Sequence, residues 1–229
     1  MKIHFVTPRN PPSFWTFDSI LPTLGRKCIF PNLSLPTVAG LTPPQHEVTL
    51  CDENVEEVDF DLSDARDAYL TLRGEWMVGM QYGRLDNLDD FGGNLAGNVR
   101  SGLDITMREL AAAEDMRTQV WHRYRKLFET YDALLMPMSP VPQFPVTKNF
   151  PDEIGGRKLV NYVDWIAGAF LVTMAGIPAG SVPAGLSRAG LPVGLQIAGP
   201  RFAEPLILGL GKLVQRANPI GWPAWADRH

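Results

Sequence analysis

Prolines are distributed unevenly along this 229-residue chain, and their positions limit where long helices can form. They recur through the first 44 residues, are absent from residue 45 to residue 136, and recur from Pro137 onward. Because proline lacks an amide donor and clashes with the preceding helical turn, long helices are favoured in the proline-free stretch. Helix-forming residues also dominate after Asp61. We therefore predict a boundary near residues 58–63 that separates a segment at 1–62 from a domain at 63–229.

Composition and charge exclude several classes of partner. The content of 45% hydrophobic and 10% aromatic residues supports a packed core, and the net charge of −4 provides no field that would attract nucleic acid or anionic lipid. No apolar run reaches the roughly 18 residues of a membrane span. Prolines interrupt the amino terminus before any long apolar run, so no signal peptide is predicted. We expect no nucleic acid, no membrane and a cytoplasmic location.

Neither the cysteines nor the histidines indicate a cofactor or metal site. Cys28 and Cys51 lie 23 residues apart with no second thiol or histidine nearby, a spacing that matches no zinc or redox motif. The four histidines are scattered along the chain, at positions 4, 46, 122 and 229. We predict reduced cysteines, no metal and no cofactor.

The first segment has the pattern of a short, truncated β-α-β-like unit. Residues 2–6 and 46–51 are short runs typical of strands, and the second ends in Asp52 and Glu53. One strand, a crossover and a second strand are the opening of a nucleotide-binding type of fold. The fold class predicted for the chain is therefore α/β.

The proline-free stretch carries the helix signals. Ser63 is placed to cap a helix over residues 64–70, and residues 89–94 have the composition of a turn. Thr106 and Glu109 have the spacing of a capping box at the start of a long helix. Its charged residues, including Arg123, are typical of a solvated face. Its apolar residues recur at helical spacing and form one stripe, which consists of Leu110, Ala113, Val120, Tyr124, Leu127 and Tyr131.

The remaining third alternates strands and helices. Residues 132–136 predict a buried strand, and residues 159–175 predict a helix that ends at Gly176 and Pro178. Further strands are predicted at 179–183 and 193–198, and a last helix at 204–216.

Four blocks of this region resemble the amidase-signature family in order and spacing: residues 131–140 (YDALLMPMSP), 161–165 (NYVDW), 176–185 (GIPAGSVPAG) and 190–199 (GLPVGLQIAG). The resemblance covers residues 64–225 and implies the carboxyl-terminal part of an amidase, with a mixed sheet flanked by helices. It also implies hydrolysis of amides by a serine that a second serine and a lysine activate. By the same resemblance, Trp165 and Thr173 are expected to line the substrate pocket, and Thr173 stands where the family more often has asparagine.

The catalytic serines of that family lie in a Gly/Ser-rich segment with adjacent serines, and these 229 residues contain no adjacent serine pair. Without a base a serine is a weak nucleophile, so we predict no catalytic residue here and no turnover by the chain alone. Ser139 and Ser181 lie inside the matched blocks, but neither has a lysine or histidine nearby in sequence.

The first 60 residues resemble the start of cobalamin-binding radical S-adenosylmethionine proteins, through residues 8–15 (PRNPPSFW), 30–39 and 47–54. The three-cysteine iron–sulfur motif of those proteins is not present in this sequence. Three functions therefore compete. The first is an amidase part that needs a complementary half, the second is a non-catalytic remnant or interaction module that self-associates through an exposed apolar face, and the third is a cobalamin-binding module.

Overall fold

A computed structural model of the chain describes residues 2–7, 40, 44–45, 47–52, 60–141, 143–187 and 189–221. The chain forms two compact units. The first consists of Met1–Asp59, Leu127–Gly168 and Ile177–His229, and the second consists of Phe60–Lys126 and Ala169–Gly176. The predicted crossover after the first strand, Cys28, His46 and His229 lie outside the described residues.

The first unit is built on a mixed sheet of five strands in the order β2-β1-β3-β7-β6. β1 pairs in parallel with both β2 and β3, whereas β3 and β6 each pair antiparallel with β7. The mixed sheet and the α/β class are therefore confirmed. The strands are β1 (Lys2–Thr7), β2 (Glu47–Asp52), β3 (Ala133–Pro137), β4 (Glu153–Ile154), β5 (Arg157–Lys158), β6 (Ala179–Leu186) and β7 (Pro192–Ala198).

The described residues also form helices α1 (Arg66–Met80), α2 (Gly93–Leu103), α3 (Met107–Thr130), α4 (Ala167–Ala175) and α5 (Glu204–Ala217). Short 3-10 segments lie at Ser63–Ala65, Tyr82–Asp90 and Asp164–Ile166. None of the helices within the described ranges has the length and hydropathy that crossing a bilayer requires.

The core of the first unit lies between one face of the sheet and helix α5. Leu135 of β3 and Ile197 of β7 alternate with residues of the opposite face, as strand geometry requires, and they pack with Ile207 and Leu210 of α5. Gly211 permits this contact, because a β-carbon there would lie 2.9 Å from Val182 Cγ1. The predicted strands and last helix are confirmed within one or two residues at most ends.

The segment before residue 62 contributes to this same sheet. Six residues of β1 pair with β2, and Ile3 and His4 of β1 pair with Ala133 and Leu134 of β3. The first two strands therefore extend the sheet from β3 outward. The origin of this segment and the boundary near residue 62 stay predictions.

The second unit is helical and its long helix begins as predicted. The Thr106 N–H donates to Glu109 Oε2 at 2.8 Å, and the Glu109 N–H donates to Thr106 Oγ1 at 3.3 Å, which is the reciprocal pattern of a capping box. Along α3 the predicted stripe faces inward, with Ala113, Val120 and Tyr124 buried. Burial raises the pKa of the Tyr124 phenol above its ordinary range, so this hydroxyl stays protonated.

Four local predictions for helices and their charged faces are corrected. Ser63 does not cap α1, because its hydroxyl donates to Asp61 Oδ2 at 3.0 Å and the helix begins at Arg66. The predicted turn at residues 89–94 contains the start of α2 at Gly93. The helix predicted from residue 159 begins at Ala167. Arg123 does not lie on a freely solvated face, since it binds Asp64.

Candidate functional site

Trp165 lies in the 3-10 segment that precedes α4, within the first unit. The side chain of Asn161 accepts a hydrogen bond from the Val163 N–H at 2.9 Å, and the Ile166 N–H donates to the Val163 carbonyl at 3.0 Å. Val163 is fully buried and anchors this turn. Trp165 is half-buried and packs edge-to-face on Phe144, with ring centroids 5.3 Å apart. The indole is therefore held in one orientation by local backbone and aromatic contacts.

The turn that carries Trp165 lies close to the strands through Gly168. A β-carbon placed on Gly168 would lie 3.7 Å from Met136 Sδ, 3.7 Å from the Pro137 carbonyl oxygen and 3.9 Å from Gln196 Oε1. These are ordinary contact distances. Because residues three apart on a helix lie on one side, Gly168 and Trp165 both border the ends of β3 and β7.

Gln196 of β7 is the polar residue at the centre of this region. It is only 5% exposed, and its Oε1 accepts no hydrogen bond from any residue that the structure describes. The β7 register places it opposite Met136 of β3 and Ser181 of β6. A buried acceptor without a donor costs about 1–3 kcal/mol, so its position calls for a physical explanation.

Gln196 and its neighbours form the sheet face that lies opposite the α5 core, because residues 195 and 197 of β7 point to that core. We call this surface the Gln196 face; it comprises Met136, Met138, Ser181, Gly194 and Gln196. Its floor is tightly packed at Gly194, where a β-carbon would lie 3.0 Å from Met138 Cβ and 3.2 Å from Ser181 Oγ. The sequence patterns did not single out Gln196 or Gly168. A polar residue in an otherwise apolar strand run was the available signal.

Thr173, the second residue expected at a substrate pocket, belongs to the second unit, whereas Trp165 belongs to the first. Thr173 is exposed on α4, and its hydroxyl donates to the Ala169 carbonyl at 3.1 Å. That bond is the common interaction of a threonine inside a helix. The assignment of Trp165 and Thr173 to a pocket stays a prediction.

The serines and the described histidine have no activating partner among the described residues. Ser139 Oγ donates to the Val141 carbonyl at 2.9 Å and accepts from the Val141 N–H at 3.3 Å, so it stabilises a turn. Ser181 is exposed and makes no hydrogen bond with a lysine or histidine of the described chain. His122 is exposed on α3 and packs edge-on against Trp121. This arrangement provides no nucleophile and base pair.

An open cleft of about 520 Å³ lies elsewhere in the first unit, between β2 and the end of α3. Its lining is mostly polar and includes the carboxylates of Glu47, Glu129 and Asp132. Carboxylates at such a position are ordinary solvated surface groups.

Residues 95–208 match the family model described as Amidase. Among curated relatives, the A-type polypeptide of the glutamyl-tRNA(Gln) amidotransferase of Desulfatibacillum aliphaticivorans is 38% identical over 106 residues, which are 46% of this chain and 21% of the relative. The corresponding polypeptide of Geotalea daltonii is 43% identical over 96 residues, 42% of this chain and 19% of the relative. The matched segment thus spans about a fifth of each relative's length.

The fold comparison reaches further along the chain. A bacterial aryl acylamidase of the amidase-signature enzymes superimposes with a TM-score of 0.66 at 21% identity, covering 96% of this chain and 44% of the acylamidase chain. At that coverage most of the first 62 residues are included in the superposition. The fold is therefore that of part of an amidase-signature enzyme. Over residues 95–208 the chain belongs to the amidase family, of which it carries a partial domain.

Proposed function

We propose that this chain supplies the carboxyl-terminal part of an amidase, and that it hydrolyses carbon–nitrogen amide bonds only when another polypeptide supplies the serine–serine–lysine machinery. The observation that carries the proposal is the combination of the amidase match at residues 95–208 with the lack of any adjacent serine pair among these 229 residues. An unassisted serine hydroxyl is too weak a nucleophile for an amide at neutral pH. Loss of an oxyanion donor alone costs about 3 kcal/mol of transition-state stabilisation.

In the assembled enzyme, Trp165 and Thr173 would contact the substrate. The rigid seating of the Trp165 indole on Phe144 and the solvent-exposed position of Thr173 on α4 support these roles. A threonine hydroxyl in place of an asparagine amide removes one donor and changes the reach of the side chain. The proposal therefore assigns Thr173 to substrate preference and not to bond cleavage.

The test is complementation. The full chain is mixed with a recombinant amino-terminal part of such an amidotransferase polypeptide, one that carries the adjacent serines, and ammonia release from glutamine and from benzamide is measured. The proposal expects release that depends on both components and that disappears when the adjacent serines are changed to alanine. A rate for the mixture no higher than the sum of the separate rates would exclude it.

A second candidate, a protein-interaction module, is favoured by exposed apolar side chains in the second unit. Trp76, Met80 and Tyr82 are 54%, 61% and 79% exposed around the end of α1, and Leu103 and Met107 are 50% and 79% exposed around the link from α2 to α3. Large apolar groups left in water are typical of surfaces that contact another protein. Light scattering coupled to size exclusion tests this candidate: a concentration-dependent dimer that Trp76→Glu dissociates supports it, and a monomer at all concentrations contradicts it.

A further inference from the structure

The amide of Gln196 is unusual because it is buried on a strand whose next two residues, Ile197 and Ala198, are fully buried and apolar. Nearly all buried polar groups in proteins have a hydrogen-bond partner. Methionine has a similar length and would fill the same space without an acceptor to satisfy. The amide oxygen is therefore most simply explained by a donor that comes from a bound molecule.

The neighbour across the strand pair supplies a second polar group. Ser181 is directly opposite Gln196 in the β6–β7 register, and it is exposed. Side chains directly opposite on an antiparallel pair have β-carbons about 4.5–5.5 Å apart, so one small group can reach both. The Gln196 oxygen accepts, and the Ser181 hydroxyl donates.

We propose that Gln196 and Ser181 form a binding subsite for a primary carboxamide group. The NH2 of the ligand donates to Gln196 Oε1, and the carbonyl oxygen of the ligand accepts from the Ser181 hydroxyl. Met136 and Met138 on the same face provide polarisable apolar contacts for the group attached to the carboxamide. The choice of a carboxamide rests on the proposed function, whereas the donor and acceptor positions come from these two residues.

Gly168 determines how closely a ligand can approach. Its missing side chain leaves space at a point 3.9 Å from Gln196 Oε1, beside the turn that carries Trp165. An alanine there would meet its neighbours at ordinary contact distances, so the fold accepts it, while its methyl group would occupy space beside the amide oxygen.

The experiment uses the full chain and two probes, benzamide and N,N-dimethylbenzamide, which lacks N–H donors. Binding is followed through the side-chain amide NMR signal of Gln196 and the backbone amide of Ser181. Benzamide is expected to shift both signals, and its affinity should fall about tenfold or more in Gln196→Met and in Gly168→Ala. The matched control is Gln143→Met, which removes an exposed glutamine that donates to the Pro192 carbonyl and should leave the affinity unchanged.

Equal binding of the two probes, no binding of benzamide, or unchanged affinity in Gln196→Met would overturn the proposal. If Gln196→Met does not fold, the exposed substitution Ser181→Ala replaces it; a several-fold loss supports the subsite and an unchanged affinity overturns it. These measurements need no hydrolysis. Carboxamide binding without complementation would therefore leave the subsite standing and remove the proposed function, and complementation without binding would do the reverse.

Discussion

The guanidinium of Arg123 holds both carboxylate oxygens of Asp64, with Nη1 2.6 Å from Oδ1 and Nη2 2.8 Å from Oδ2. The same Nη1 donates to the carbonyl of Asp61 at 2.9 Å. This parallel, two-point arrangement is the strongest geometry available to an arginine and a carboxylate. It joins α3 to the residues that lead into α1, which are 59 positions earlier in the chain.

Stability should depend on pH through this pair. The hydrogen bonds from Arg123 hold the pKa of Asp64 below its ordinary value of 3.8. A depressed pKa in the folded state means that the stabilisation is fully present above the unfolded value and is lost as the pH falls through the folded value. We expect Asp64→Asn to lower the free energy of unfolding by about 0.5–1 kcal/mol at pH 7, since the pair is partly exposed. Urea unfolding measured by circular dichroism at pH 7 and pH 2 checks this.

The matched control for that variant is Asp67→Asn, since Asp67 is 91% exposed and contacts only its sequence neighbour Arg66 in the described ion pairs. No change in stability is expected for it. An equal loss at pH 2 and pH 7 in Asp64→Asn would show that the ion pair is not the cause.

The crossing of α1 and α2 depends on two glycines. A β-carbon on Gly102 would lie 2.3 Å from the Gly74 carbonyl oxygen, a distance that only movement of the backbone could relieve. We expect Gly102→Ala to destabilise the chain by about 2–3 kcal/mol. Gly97 lies in the same helix with nothing within 4 Å of its β-carbon position, so Gly97→Ala should stabilise by about 0.5–1 kcal/mol. Urea midpoints measure both, and changes of the same sign would contradict the prediction.

The start of α3 should be sensitive to Thr106. Thr106→Ala removes the oxygen that accepts from the Glu109 N–H, and loss of such a cap costs about 1 kcal/mol. Thr118 is in the middle of the same helix, where its hydroxyl bonds to the Glu114 carbonyl. Thr118→Ala should be neutral or slightly stabilising, because alanine has the higher helix propensity. Thermal unfolding of the two variants distinguishes a capping effect from a general loss of threonine.

The pairing of β1 with β3 can be trapped covalently. Ile3 and Ala133 are register partners, and neighbouring strands lie about 4.8 Å apart, a separation that a disulfide can span. In a background with Cys28 and Cys51 changed to alanine, the pair Ile3→Cys and Ala133→Cys should cross-link under mild oxidation. Thr7→Cys with Ala133→Cys is the control, because four residues along a strand span about 13 Å. Peptide mass spectrometry reads the result; equal cross-linking in both would contradict the register.

Signals confined to a few neighbouring residues were predicted well. The Thr106 and Glu109 capping box needs only one helical turn, and the apolar strand before Pro137 needs only its own residues. The helix at Gly93 was missed because glycine and asparagine locally favour a turn. There, burial of Ala96, Val99 and Gly102 outweighs the local preference.

Predictions that needed contacts between distant residues were less complete. The helix before Gly176 was predicted to begin too early because the side chain of Asn161 bonds to the Val163 N–H, and that bond favours a turn over a helix. Gln196 was not recognised as a site residue because alternation along a strand does not reveal which face lacks a donor. Only the positions of Gly168, Met136 and Ser181 around its amide show that.

The place of β1 between β2 and β3 has a consequence for how such a chain could arise. Strand pairing uses backbone groups that every residue except proline carries, so a new pair of parallel strands can replace an old one without matching its side chains. A recombination that exchanges one strand–crossover–strand unit for another therefore keeps the hydrogen-bond ladder continuous. By this route a gene can acquire an unrelated beginning while the encoded sheet remains closed along β3.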